Sequence, residues 1–368
     1  MILTACTEEP LVHGGDLGAA RRLFPGAPEP FIDLSTGINP NPYRLPRFSA
    51  GLFARLPEAA ALEAVAAAAA RAYGAPSAAH VVPAPGTQIL LPLVAGLVRA
   101  GRAAVLAPSY AEHARAAALA GHAVTRVQDI DACGDARLVV VTNPNNPDGR
   151  LLPRAALLAL AKELRGRGGL LVVDEAFMDV GPRDASLAAD VSCGNVIVLR
   201  SFGKFFGLAG TRLGFALAAP ALAARLRATL GPWAVSGPAL AVGAKALADT
   251  GWIERTRGRL TKAAERLDAI LIDAGLDIVG GTSLFRLVRT PVARALFHHL
   301  GRAGIWVRAF ADQADRLRLG LPANEQAWQR LRGALVSFRK IASARDNATA
   351  AAHKDAAGAA LNRKRSTC

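Results

Sequence analysis

The sequence predicts an α/β protein, with a large domain built on a mostly parallel sheet flanked by helices and a smaller α+β domain. Three observations carry that prediction. Between residues 103 and 200 short β-rich runs alternate with helical stretches. Those runs are apolar at nearly every position rather than at every second one, the pattern of strands covered on both faces. After Pro220 the pattern changes to longer helices followed by two further short runs. A chain of 368 residues with 52% hydrophobic content is long enough to bury one large core and a smaller one.

Taken in order, residues 59–70 are Ala-rich, are interrupted by Glu63 and followed by Arg71, and read as a helix. The predicted strands are Ala103-Ala-Val-Leu-Ala107, Leu138-Val-Val-Val-Thr142, Leu170-Leu-Val-Val-Asp174 and Val196-Ile-Val-Leu-Arg200. Helical stretches at residues 111–120, 154–165 and 187–190 separate them. Two more strands are expected at residues 276–279 and 283–288, then helices at 292–303 and 325–341. The expected domains are 43–230 for the large one, and 1–42 with 231–342 for the small one. Residues 343–368 are Ala-rich and end Asn-Arg-Lys-Arg-Ser-Thr-Cys, the composition of a disordered tail. No internal repeat is visible.

Composition excludes several classes. No apolar stretch fits a membrane span, and no basic region followed by an apolar core opens the chain. Four cysteines at 6, 133, 193 and 368 have neither paired nor metal-ligand spacing, so a reducing cytoplasm is expected and no metal. The net charge of +15 is partly a tail effect, since residues 339–368 hold seven basic and two acidic side chains. The remaining charge is spread, without aromatic interleaving or zinc spacing, so no nucleic-acid partner is expected. A basic surface suits anionic small molecules equally well.

Ligands of open α/β sheets bind outside the carboxyl ends of the strands, so the residues just beyond each strand are where a site is sought. Three consecutive strands lead into Asn143-Pro-Asn-Asn-Pro-Asp-Gly149, into Asp174-Glu-Ala-Phe177 and into Ser201-Phe-Gly-Lys204. Only seven of the 44 basic residues are Lys, so a Lys placed at a strand end points to chemistry that a guanidinium cannot do. A desolvated amine can lose its proton and attack a carbonyl. Ser201 and Arg212 flank it as phosphate ligands. Singly, each has a plainer reading: Asn-Pro as turn punctuation, Asp as a helix cap, Lys as a solvated loop residue, and Ser-x-x-Lys as the spacing of penicillin-binding enzymes. Together they point to a cofactor with one aldehyde and one phosphate, pyridoxal 5'-phosphate.

On these motifs the chain resembles the fold-type I pyridoxal-phosphate enzymes, in their histidinol-phosphate aminotransferase-like branch, over roughly residues 10 to 340. The resemblance implies that Lys204 carries the cofactor as a Schiff base and that Asp174 pairs with its pyridinium nitrogen. It implies that Asn146 bonds the ring's phenolic oxygen, that Tyr110 stacks on the ring, and that Ser201, Arg212, Gly86 and Thr87 hold the phosphate. Arg318, in Leu317-Arg-Leu-Gly-Leu-Pro322, would clamp the substrate carboxylate. A homodimer is implied as well.

Two positions depart from the aminotransferase pattern. Phe177 stands where a Tyr is usual, and Arg55-Leu56-Pro57 where relatives carry Arg-Tyr-Pro. His13-Gly-Gly-Asp16, with Phe31-Ile-Asp-Leu-Ser-Thr-Gly-Ile-Asn-Pro-Asn-Pro42, is similar to the opening of the threonine-phosphate decarboxylases of cobalamin biosynthesis. That resemblance implies decarboxylation of a phosphorylated amino acid, with His13, Gly37, Asn39, Asn146 and Arg318 at the substrate. Arg316, Arg308 and Arg22 are further candidates for its phosphate. The alternative is an aminotransferase acting on histidinol phosphate or a similar amine.

Overall fold

The structure, a computed structural model, describes residues 14–341. His13 and the segment 343–368 therefore lie outside the described residues. By internal contacts the described chain divides into two units: residues 37–265 with 279–287, and residues 14–36 with 266–278 and 288–341.

The strands, in chain order, are β1 (Ile32–Asp33), β2 (Val81–Ala84), β3 (Arg102–Leu106), β4 (Ala123–Val127), β5 (Leu138–Thr142), β6 (Leu170–Asp174), β7 (Val196–Ser201) and β8 (Gly214–Ala218). Next come β9 (Asp277–Thr282), β10 (Phe285–Arg289), β11 (Ile305–Trp306), β12 (Arg308–Ala309) and β13 (Arg316–Gly320). The first unit is built on a seven-stranded sheet of order β2-β8-β7-β6-β5-β3-β4. Strands β7, β6, β5, β3 and β4 run parallel, whereas β8 is antiparallel to both β2 and β7. The expected α/β architecture is thus present, as a mixed sheet with five consecutive parallel strands.

Residues alternate between the faces of a strand with period two. Leu138, Val140, Leu170, Val172, Ile197 and Leu199 share one apolar face with side chains of the helices Thr87–Ala95, Glu112–Leu119 and Pro220–Leu230. The intervening residues Val139, Val141, Leu171, Val173, Val196 and Val198 are equally buried. Burial on both faces explains why these runs are apolar throughout. The helix Arg154–Gly166 buries Leu157, Leu160, Ala161 and Leu164, a stripe at i, i+3, i+4 and i+7. Ser236 caps the helix Gly237–Ala248 by accepting from the Ala239 N–H at 3.4 Å, and Pro238 opens its first turn.

In the second unit β1 pairs parallel with β11, Ile32 opposite Ile305, and β12 pairs antiparallel with β13, Arg308 opposite Arg318. Asp16 caps the helix Leu17–Leu23 through the Ala19 N–H at 2.9 Å. Ala20, Phe24, Phe31 and Trp306 form this unit's aromatic-rich core, with Phe297 against them. A helix occupies residues 325–341.

Candidate active site

Period-two alternation also decides which residues leave the strand ends on which side. Asp174 continues the face of Leu170 and Val172, and Ser201 continues that of Ile197 and Leu199. Both emerge toward the helices Thr87–Ala95 and Glu112–Leu119. There His113 Nε2 lies 2.9 Å from Asp174 Oδ2, while Asp174 Oδ1 accepts the Ala176 N–H at 3.0 Å. Asp174 and His113 are only 6% and 3% exposed. Glu175 and Arg200, one residue out of phase, meet on the opposite face at 2.9 Å. Arg200 also pairs with Asp179 at 2.9 Å and lies over the Tyr73 ring. Burial raises the Glu175 pKa above the usual carboxylate range; Arg200, Ser186 and the Leu187 N–H pull the other way.

Lys204 sits on the short helix Phe202–Phe205 that continues from β7. A four-residue helix leaves its carbonyls without intrahelical partners. The segment 39–43 supplies them. The Asn39 N–H donates to Lys204 O at 2.9 Å, Asn39 Nδ2 to Phe205 O at 2.9 Å, and the Tyr43 N–H to Phe206 O at 2.9 Å. Gly207 comes next with φ of 67°, and a side-chain carbon there would stand 2.6 Å from Asn39 O, so the turn requires glycine. Phe202, Phe205 and Phe206 are fully buried, with Phe206 stacked on Phe202 at 4.5 Å and on Trp252 at 5.5 Å. The lysine therefore stands half-buried on a rigid aromatic base, with Nζ 5.8 Å from the centre of the Phe177 ring. Gly37 lets backbone lie against that ring, since a Cβ there would come within 2.8 Å of Phe177 and 2.9 Å of Phe285.

Strand register assembles an anion cradle. Ser201 lies opposite Gly214, and Gly214 opposite Ala84, so the end of β7 and the loop after β2 lie abreast. That loop leads through Gly86, with φ of 87°, into the helix Thr87–Ala95. The Arg212 guanidinium packs against Gly86 so closely that a Cβ would stand 2.7 Å from its Nη2. A helix N-terminus, a hydroxyl and a guanidinium are thereby gathered at one place.

Three asparagines lie just beyond β5, and two of them build the loop. Asn143 Oδ1 accepts the Leu152 N–H at 2.9 Å. Asn145 Nδ2 donates to Pro108 O and to Asp148 Oδ1, both at 2.8 Å. Asn146, between Asn145 and Pro147, is half-buried. Tyr110 is half-buried as well, its ring edge-on to His113 at 5.6 Å, and its hydroxyl donates to Gln88 Oε1 at 3.0 Å.

In the second unit, Arg318 is buried on β13 and Nη2 donates to Ser35 O at 2.9 Å. Burial, reinforced by Arg308 and opposed by Asp33, brings its pKa down to about 10. Ser35 Oγ accepts the Gly15 N–H at 2.8 Å and donates to Asp33 Oδ1 at 2.6 Å. Arg316 bonds Gln313, Arg308 lies over the Phe310 ring, and the exposed Arg22 stands 3.8 Å from Asp16.

The structure thus brings Lys204, Asp174, Ser201, Arg212, Gly86, Thr87, Asn146, Tyr110, Gly37 and Asn39 into one unit. The Asn39 side chain is committed to Phe205 O and, through Oδ1, to the Asn41 N–H at 2.9 Å. Sequence reasoning does not single out His113 or Gln88. The signal for His113 is its place three residues beyond Tyr110 at the start of a helix.

An amine, a buried carboxylate and an anion cradle at the carboxyl ends of one open sheet define an enzyme that works through a bound carbonyl cofactor. The donor set fits pyridoxal phosphate: Lys204 for the aldehyde, Asp174 for the ring nitrogen, and Gly86, Thr87, Ser201 and Arg212 for the phosphate. The chain belongs to the family Aminotransferase class I and II, which matches residues 43–335. It is 44% identical over 335 residues to the threonine-phosphate decarboxylase of Pseudomonas aeruginosa, covering 90% of this chain and 99% of that one. It is also 44% identical to a threonine-phosphate decarboxylase of Sinorhizobium sp., over 89% of this chain and 98% of the relative. In fold it is similar to the crystal structure of histidinol-phosphate aminotransferase from Sinorhizobium meliloti in complex with pyridoxal-5'-phosphate. The TM-score is 0.74 at 23% identity, over 92% of this chain and 98% of the other.

Proposed function

We propose that the protein is a pyridoxal-phosphate-dependent decarboxylase. It converts O-phospho-L-threonine into (R)-1-amino-2-propanol O-2-phosphate and carbon dioxide, supplying the cobalamin nucleotide-loop linker. The observation that carries this reading is 44% identity, nearly end to end, with two threonine-phosphate decarboxylases. Phe177 supports it, since an apolar ring 5.8 Å from Lys204 Nζ replaces the hydroxyl of the aminotransferase pattern.

When bound, pyridoxal phosphate supplies a protonated ring that accepts the electron pair of the broken bond. The chain's own groups do the rest. Asp174, fixed by His113 and by the Ala176 N–H, holds the proton on the ring nitrogen. Gly86, Thr87, Ser201 and Arg212 hold the cofactor phosphate, and Asn146 holds the phenolic oxygen. Arg318 and His13 take the substrate's two anionic groups, on the strength of the family resemblance. Orientation selects the reaction, because the residues that hold the substrate's anionic groups would decide which bond at Cα is cleaved. The carbon–carboxylate bond breaks, carbon dioxide leaves, and Lys204 delivers a proton to the Cα that lost it. The protein acts as a cytoplasmic homodimer on this reading; no helix among the described residues is long and apolar enough to cross a membrane.

The test is incubation of the cofactor-loaded protein with phosphothreonine. Carbon dioxide release with no requirement for a 2-oxo acid is expected. Transfer of the amino group to 2-oxoglutarate would replace this reading with transamination. Visible absorbance of lysine-bound cofactor is expected, and Lys204→Ala abolishes it.

A further inference from the structure

We propose that Gln88 is a positioning residue. Its amide, oriented by Glu112, fixes the Tyr110 ring at the angle at which that ring covers the cofactor. The inference rests on the pyridoxal-phosphate reading above and is independent of the substrate.

Three bonds form a directed chain. Tyr110 Oη donates to Gln88 Oε1 at 3.0 Å. Gln88 Nε2 donates to Glu112 Oε2 at 3.1 Å, and Arg115 Nη1 donates to the same oxygen at 3.4 Å. An ionised carboxylate only accepts, and the Glu112 side chain is 7% exposed beside the Arg115 cation. Glu112 therefore turns the NH2 of Gln88 toward itself. That places Oε1 toward Tyr110, whose hydroxyl must then donate. The chain has one polarity, and a carboxylate at its end sets it.

The same helix turn holds the Tyr110 ring from its other side. His113, next to Glu112, packs edge-on to the ring at 5.6 Å while its Nε2 lies 2.9 Å from Asp174. Perpendicular to the His113 ring and with its hydroxyl on Gln88, the Tyr110 ring is held at two points. Gln88 is also the second residue of the helix whose first turn, at Gly86 and Thr87, forms the anion cradle with Arg212. The ring and phosphate of the cofactor stand at a covalently fixed separation. Two successive residues, Thr87 and Gln88, thus open the helix beside the cradle, and the second of them bonds Tyr110. Removing the exposed Gln88 amide takes from the Tyr110 hydroxyl the acceptor that Glu112 orients.

The experiment compares wild type, Gln88→Leu, Glu112→Gln and the double variant Gln88→Glu/Glu112→Gln. The readouts are pyridoxal phosphate affinity and the induced circular dichroism of the bound cofactor's visible band, which reports the asymmetric setting of its ring. Gln88→Leu removes both bonds at similar volume and is expected to weaken cofactor binding about tenfold, with a reduced dichroic band. The double variant rebuilds both bonds with the charge moved one place, since the introduced amide at 112 donates to the introduced carboxylate at 88. It is expected to return to within about threefold of wild type and to regain the band. Glu112→Gln alone lets the Gln88 amide take either orientation and should fall between. Wild-type affinity and dichroism in Gln88→Leu, or a double variant no better than Gln88→Leu, would overturn the proposal. Should Gln88→Leu fail to fold, the double variant against Glu112→Gln still decides it. Cofactor binding without carbon dioxide release from phosphothreonine would sink the substrate reading and leave this one standing.

Discussion

Asp174 and Glu175 are neighbours in sequence and serve opposite faces of one sheet. The first turns to His113 and the site, the second to Arg200 and the structural interior. Neighbouring carboxylates therefore have separate tasks, and the strand pleat makes the assignment. Arg318 shows the cost of a buried charge. A base whose pKa falls on folding destabilises the protein at every pH below its folded value, here up to about 10, and that loss fades only as pH rises through it. An anion bound at Arg318 offsets the burial. Arg318→Gln removes that burial cost along with the Ser35 hydrogen bond, worth about 1 kcal/mol, and is thus expected to leave the ligand-free protein no less stable than wild type. It should also erase the rise in Tm that phosphothreonine gives wild type. Calorimetry with and without the amino acid checks both; a variant several kcal/mol less stable without ligand would refute the account.

At the scale of elements, Arg200 ties β7 to the residues just beyond β6 through Glu175 and Asp179, all on the face away from the site. The tie fixes the spacing of the strand ends that carry Asp174 and Ser201. Removing one member of a buried charge network leaves the others unpaired, which costs about 3–5 kcal/mol. Arg200→Met is expected to lower stability by that amount in urea denaturation, with reduced cofactor affinity in the folded fraction. Unchanged stability would refute it. Much of this arrangement is legible in the sequence. β5 and β6 lie where their apolar runs predict, β3 starts and ends one residue earlier and β7 ends one residue later, because strands buried on both faces need unbroken apolar runs. Asp174 and Lys204 stand where the reading of strand ends places them, at the end of β6 and just beyond β7. Gly-Phe-Ala-Leu-Ala at β8 and Ala-Val-Thr-Arg-Val at β4 are not legible, because alanine suits a helix equally and β4 is a half-solvated edge. His113 and Gln88 acquire their roles from partners 61 and 24 residues away in the chain. Spacing along the sequence carries no trace of that. The loop-closing role of the Asn39 side chain is hidden for the same reason.

For the whole molecule, the chain carries a net charge of +15 and the proposed substrate is phosphorylated. Long-range attraction acts on encounter rather than on chemistry, and salt screens it as the Debye length falls from about 30 Å at 0.01 M to about 8 Å at 0.15 M. Over that range kcat/KM for phosphothreonine is expected to fall while kcat holds; a salt-independent kcat/KM would show that the charge does not steer. The belt of bonds from residues 39–43 to the carbonyls after Lys204 has a consequence in time rather than in space. Asn39 and Phe205 are 166 residues apart. At a synthesis rate of about 5–20 residues per second, the N-terminal strap leaves the ribosome about 10–30 s before the backbone it must grip exists. During that wait the polar strap, rich in Asn and Pro, has no partner to pair with. Lys204 is thus set in place by a segment made long before it, and only when the two ends of that interval meet.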